Sequence, residues 1–268
     1  MNIFSFIIIS IAGIGAGVVT GLVGASAAVI VTPFLVTFLG YDSYIAISIS
    51  LATDVFASSV SSATYAKHKN IDLKNGLAMA VCAVIGAQFG SYLSSLMSSN
   101  TLGGASGIIT LIMGIKFLRK HSNSLTNEET TVDKTCKFLS FFREEKTFSS
   151  IIFGLLIGII CGIVGAGGGI MILLILSKIL GFEIKTAIGT SVLIMTFTAL
   201  SGSVGHFIHM SSIPVFEILL AGSFSIIGAR GAALFANKAD EQAMNKIIGL
   251  TFVILGLVLI ISKRILGL

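Results

Sequence analysis

Charge is what this chain has least of. Of its 268 residues, 11% are Asp, Glu, Lys or Arg, less than half the roughly 25% of an ordinary soluble domain. Apolar residues make up 54% and the mean hydropathy is +1.01. Polar groups this sparse cannot cover a soluble fold, so lipid must be the solvent for much of the surface. Cysteine is scarce too. Cys82, Cys136 and Cys161 form no CxxC pair and have no His at metal spacing, which argues against a disulfide framework or a zinc site. Residues 1–24 lack the Lys or Arg that opens a secretory signal, although Ala25-Ser26-Ala27 mimics a cleavage site. The same pattern recurs deep inside the chain, so the stretch belongs to the mature fold.

Catalytic signatures are missing as well. There is no GxxxxGK[ST], hence no ATP motor, and the glycine clusters do not follow strands, which excludes a dinucleotide fold. No nucleophile stands with a His and an acid at motif spacing. Gly24-Ala25-Ser26-Ala27 lacks the final glycine of a serine elbow, which leaves an intramembrane hydrolase at Ser26 as the weaker, enzymatic alternative. The expectation is a protein that is no enzyme and takes no cofactor.

What is present is a series of long apolar runs, at about 3–39, 44–66, 76–97, 101–118, 149–177, 186–208, 215–236 and 247–262. Most reach the ~20 residues a helix needs to cross a hydrocarbon core, and they are too long and too unalternating for barrel strands. The fold class expected is an all-α polytopic membrane protein. Between the runs, 119–148 holds 11 of the 29 charged residues, six basic and five acidic, and reads as a solvated linker whose segment 136–142 is suited to an interfacial helix.

The chain repeats itself. At an offset of 141, Gly17, Gly21, Gly24, Ala25 and Gly40 fall on Gly158, Gly162, Gly165, Ala166 and Gly181, and Ala46-Ile47 falls on Ala187-Ile188. One inserted residue near Pro214 moves the offset to 142, where Gly86-Ala87 meets Gly228-Ala229. The division expected is a first transmembrane repeat over 1–118, a polar cytoplasmic linker over 119–148 and a second repeat over 149–268.

The first run of each repeat is interrupted, by 21–26 and by 162–169. Glycine costs about 1 kcal/mol per position in a helix interior, so the runs should break there. The piece that follows the first break, 26–39, would span only about 21 Å as helix, short of the ~30 Å core. A hairpin turning inside the membrane fits. If each hairpin returns to its starting side, the two repeats face opposite ways. That arrangement places 14 of the 17 Lys and Arg on the cytoplasmic side, as the positive-inside bias asks. Inverted repeats with broken helices mark secondary transporters, whose solute binds where the breaks meet.

A helix broken in lipid leaves backbone N–H groups that only protein or a cavity can satisfy, and its N-terminus favours an anion. The candidate binding residues are therefore Gly24, Ala25 and Ser26 in one break and Gly165, Ala166, Gly167, Gly168 and Gly169 in the other. The plainer alternative is that these glycines only let helices pack closely. Ser50, Thr190 and Ser191 could line the site from the second long helix of each repeat, although hydroxyls in membranes often bond their own backbone. Arg230, matched by Gln88, either faces the centre and grips an anion or snorkels to the nearby surface. Asp54 lies mid-run, where a charge is expensive. It is a candidate for coupling a proton to transport or for pairing with Arg230, and its counterpart is Met195. His206 stands opposite Tyr65, either as a titrating group or as a satisfied interfacial histidine.

These motifs in this order, Gly158, Gly162, Gly165-Ala166-Gly167-Gly168-Gly169, Ala187-Ile188-Gly189-Thr190-Ser191 and Gly228-Ala229-Arg230-Gly231, doubled in the first half, resemble the sulfite exporter TauE/SafE family of membrane permeases. The resemblance covers nearly all of both repeats but not the linker. It implies a multi-pass protein of the cell membrane that carries a small sulfur-containing anion such as sulfite, thiosulfate or an organosulfonate. The mode implied is alternating access, with proton coupling as an option. Its partners would be that anion and the bilayer, with no nucleic acid and with a homo-oligomer left open. A departure is Gly24-Ala25-Ser26-Ala27-Ala28, where the family has a glycine run. A passive anion channel and a non-transporting membrane scaffold remain as rival readings.

Overall fold

A computed structural model describes residues 2–98, 146–164 and 168–240, and among these every regular element is a helix. In order they are α1 (Ile3–Val23), α2 (Ala28–Leu39), α3 (Ser43–Lys67), α4 (Leu73–Ser95), α5 (Lys146–Val164), α6 (Gly168–Leu174), α7 (Ile184–Ile208) and α8 (Val215–Lys238), with a π-helical turn, Ile175–Ile179, continuing α6. Five of them, α1, α3, α4, α7 and α8, are long and apolar enough to cross a membrane. The runs at 101–118 and 247–262, and 119–145 of the linker, lie outside the described residues.

Helix ends follow from local chemistry. Asp42 and Asp72 cap α3 and α4, their carboxylates accepting the N–H of Tyr44 at 2.8 Å and of Asn75 at 3.1 Å, which satisfies donors left over in a first helical turn. α1 ends at Gly24, whose φ of 68° is a left-handed conformation open to glycine. Gly21 and Gly162, expected inside the breaks, instead lie within helices that run on to Val23 and Val164. Both breaks are thus shorter than the glycine pattern predicts, because tight packing claims the earlier glycines.

That packing has one register used twice. On α1, a Cβ added to Gly13, Gly17 or Gly21 would fall 2.6, 2.1 or 2.5 Å from the carbonyl oxygens of Ala221, Ser225 and Ala229 on α8. On α5, the same addition to Gly154, Gly158 or Gly162 would fall 2.6, 2.2 or 2.3 Å from those of Met79, Ala83 and Ala87 on α4. The second set is the first carried across by the sequence offsets. Both pairs advance together along the chain, so α1 and α8 are parallel, as are α5 and α4. Small residues every fourth position let backbones touch, as van der Waals packing in lipid requires.

The matched helices α3 and α7 run the other way. Their contacts pair Tyr44 with His206, Leu51 with Gly202, Ser58 with Thr196 and Tyr65 with Gly189, an antiparallel order. At one end of the bundle Tyr41 donates to Glu217 at 2.9 Å. At the other, the Asn70 amide donates to Asn237 at 2.7 Å, Lys185 to the Asn237 carbonyl at 3.1 Å and the Asp72 N–H to Thr190 at 2.9 Å. Lys67, Lys69, Lys74, Lys185 and Lys238 gather at this second end. α1 starts at the Tyr41–Glu217 end and α2 returns to it, whereas α5 starts at the lysine end and the chain after α6 returns there.

The glycine register makes a stability prediction. Gly17→Ala and Gly158→Ala should each lower the thermal midpoint in detergent by similar amounts, at a cost of about 1–3 kcal/mol for overpacking. Gly231→Ala on α8, where a Cβ meets nothing within 4 Å, should leave it unchanged or raise it through better helix propensity.

Candidate functional site

Between α1 and α2 the chain turns within the bundle, and its polar groups find partners there. Thr20 donates to the Ala25 carbonyl at 2.8 Å. The start of α2 is held by Asp54, half-way along α3, whose carboxylate accepts both the Ser26 hydroxyl and the Ala27 N–H. Asp54, Ser26 and Ala27 are buried. The carboxylate therefore occupies the position at which a helix N-terminus would otherwise attract a free anion. Its partners explain how a charge is tolerated at that depth. Arg230 is not among them.

The second break approaches the first. A Cβ on Gly169, in the first turn of α6, would fall 2.1 Å from the Gly24 carbonyl oxygen and 2.8 Å from the Met195 sulfur. A Cβ on Gly24 would fall 2.4 Å from the Ser191 hydroxyl. Met195, half-way along α7, thus holds beside α6 the place that Asp54 holds beside α2. One helix start meets a carboxylate and the other a thioether. α2 contains Pro33, and α6 runs on into the π turn Ile175–Ile179.

The remaining sequence candidates fall into three groups. Gly24, Ala25, Ser26, Asp54, Gly168, Gly169 and Ser191 gather around the two breaks. Gly165, Ala166 and Gly167 lie outside the described residues. Ser50, Thr190, Gln88 and Arg230 are engaged or placed elsewhere. Ser50 donates to the Ala46 carbonyl and meets Thr32 of α2 at 2.8 Å, and Thr190 accepts the Asp72 N–H. Gln88 donates to the Ser201 carbonyl at 2.8 Å from the exposed stripe of α4. Arg230 lies on the exposed stripe of α8, between Ile227 and Leu234. Helix periodicity puts these four residues on faces set by neighbours that the glycine motifs do not reveal.

Two contacts stand out that pattern reasoning only half saw. The Tyr65 hydroxyl donates to the Gly21 carbonyl at 3.0 Å, and the His206 Nε2 lies 2.9 Å from the Gly162 carbonyl. Each ties the last turn before a break to a long helix, and each is the other's counterpart at the offset of 141. Alignment of the repeats had paired Tyr65 with His206; their shared target is visible only in three dimensions.

Long apolar helices, a polar turn buried among them and a second helix start pressed against it define a multi-pass membrane transporter, a class borne out by comparison with known proteins. The family model described as sulfite exporter TauE/SafE matches residues 9–259, and the chain belongs to that family. It is similar to the probable membrane transporter protein YunE of Bacillus subtilis, 26% identical over 269 residues, which covers 96% of this chain and 97% of that one. It is also similar to the probable membrane transporter protein YdhB of the same organism, 24% identical over 250 residues, covering 91% and 96%. A third relative is the probable membrane transporter protein MJ0441 of Methanocaldococcus jannaschii, 25% identical over 202 residues, covering 73% and 70%. No solved structure matches the chain. Family and relatives point to a transporter rather than an enzyme.

The cap on α2 can be tested directly. Asp54→Ala strands the buried Ala27 N–H, at about 1–3 kcal/mol, whereas Asp54→Asn keeps one acceptor. Hydrogen exchange of the first turn of α2 should accelerate most in Asp54→Ala, less in Asp54→Asn, and not at all in α4.

Proposed function

We propose that this protein is a secondary carrier of a small sulfur-containing anion, of the sulfite, thiosulfate or organosulfonate class, across the cytoplasmic membrane. Its two halves act as inverted copies, and the anion is handled where the start of α6 meets the turn at 24–27. The observation that carries the reading is the approach of Gly169 to Gly24. It brings two broken helices from oppositely directed halves to one place, the arrangement in which carriers build their solute sites. The antiparallel order of α3 against α7, and the reuse of one packing register by α1 with α8 and α5 with α4, support the inverted relation. Sulfite comes from the family's description, and thiosulfate and organosulfonates from the resemblance carried by the sequence motifs; the relatives' names say transporter and nothing narrower.

Within this reading the two helix starts are not equivalent. Asp54 already supplies negative charge at α2, so an incoming anion is handled mainly from the second half, beside Gly168, Gly169 and Ser191. Asp54 is the proton-coupling candidate of the first half, because protonation would remove the charge that holds α2's first turn. Arg230, on an exposed stripe, has no part in the site so defined.

Uptake of labelled sulfite, thiosulfate and a small sulfonate into proteoliposomes tests the proposal. Saturable uptake of at least one is expected. It should be abolished in Gly169→Leu while membrane insertion persists, and should change less than about twofold in Arg230→Gln. Uptake that rises linearly without saturation, with single-channel conductance, would replace the carrier with a passive channel. No uptake of any of the three from folded protein would remove the substrate assignment.

A further inference from the structure

The loops that follow α3 and α7, at 68–72 and 209–214, are counterparts in the two halves, yet they are built differently. After α3, the Lys69 N–H donates to the Ala66 carbonyl and the Asn70 N–H to the Tyr65 carbonyl, both at 3.0 Å, and Lys69 has a left-handed φ of 60°. Two such bonds around a left-handed residue reverse a chain at the C-terminus of a helix. After α7, the Met210 N–H reaches the Phe207 carbonyl at 3.2 Å, but the second bond and the left-handed residue are missing. The first loop is folded back over the bundle; the second is not.

Folded back, 68–72 crosses to the other half. The Asn70 amide donates to Asn237 at the end of α8, and the Asp72 N–H donates to Thr190 on α7. The Asn70 carbonyl lies so close to α7 that a Cβ on Gly189 would collide with it. Ile71 packs on the apolar cluster to which Val23, Ala25 and Ile170, beside the two breaks, belong. Gly189 and Thr190 directly precede Ser191, whose hydroxyl lies against Gly24. The loop is therefore fastened to α7 within one turn of the first break, on the side of the lysine end.

The second loop lacks the chemistry to copy this. At the offset of 142, Ser212 stands for Asn70 and is exposed, and Ile213 stands for Ile71 and is 47% exposed. Pro214 stands for Asp72 and has no N–H to donate. At the offset of 141, Ile49 stands for Thr190 and has no hydroxyl to accept, while Ser48 places a side chain where Gly189 has none. Among the described residues, 209–214 makes no hydrogen bond to the first half. That end is joined across the halves by Tyr41 and Glu217 instead.

An alternating-access carrier shuts its two ends in turn. We propose that 68–72 is the strap that shuts the lysine end: fastened to Gly189, Thr190 and Asn237 it covers that approach to the first break, and its release opens it. The proposal deepens the carrier reading and rests on it. Because the matched loop has none of the fastenings, closure of this kind belongs to one end only.

Two experiments test the strap. In proteoliposomes, Asn70→Cys combined with Asn237→Cys and joined by a disulfide or a short thiol cross-linker should abolish uptake of the labelled anions. Reduction of the disulfide should restore it, and neither single variant should respond to the oxidant. The matched pair, Ser95→Cys with Ser212→Cys, should not cross-link. The second readout needs no transport. In full-length protein in nanodiscs, a water-soluble maleimide should label Ser191→Cys slowly, over the background of the native cysteines. Labelling should quicken about tenfold when Thr190→Val removes one fastening hydrogen bond, and further with Gly189→Ala, whose Cβ displaces the Asn70 carbonyl. Hydrogen exchange of α1 and α4 should stay unchanged, which separates release of the strap from loss of the fold. Uptake that persists in the cross-linked protein, or labelling that is equal with the strap fastened and released, would overturn the strap. A matched pair that cross-links and blocks uptake would overturn its restriction to one end. If the wild type moves none of the anions, the carrier reading fails on its own, and the labelling still decides whether 68–72 covers the break.

Discussion

A helix that stops inside a bilayer must find partners for its last carbonyls and its next N–H groups without help from water. In this protein that demand falls twice, and the rest of the architecture can be read as its answer. Before the first break, Tyr65 takes the Gly21 carbonyl; after it, Asp54 and Ser26 take up the opening turn of α2. Before the second, His206 takes the Gly162 carbonyl. α3 and α7 must each supply a polar side chain at a particular height, which fits their being the most buried of the long helices.

The two halves solve one geometric problem with different chemistry. Aspartate and tyrosine serve the first break, methionine and histidine the second. The scaffold around them is shared down to the register of glycine against carbonyl.

Much of this was legible in the sequence. Helical class followed from the length and composition of the runs. The division of labour among the glycines was not legible. Gly17 and Gly158 serve packing, while Gly24 serves the turn, and a single motif contains both because close approach and left-handed φ favour the same residue. Nor could the roles of Thr190 or Gln88 be read in advance, since hydroxyls and amides are claimed by whichever neighbour the fold brings. The place of Arg230 on α8's exposed stripe depends on helical phase relative to Gly228 and Ala232, which pack inward.

The crossed packing of α1 with α8 and of α5 with α4 means that each half closes against the last described helix of the other. Among the described residues, the tightest backbone approaches thus cross from one half to the other. A single ancestral half, inserted in the membrane in both orientations, would present to its oppositely oriented twin the same glycine ladder and the same carbonyl rail. It could assemble as a dual-topology homodimer with no new surface.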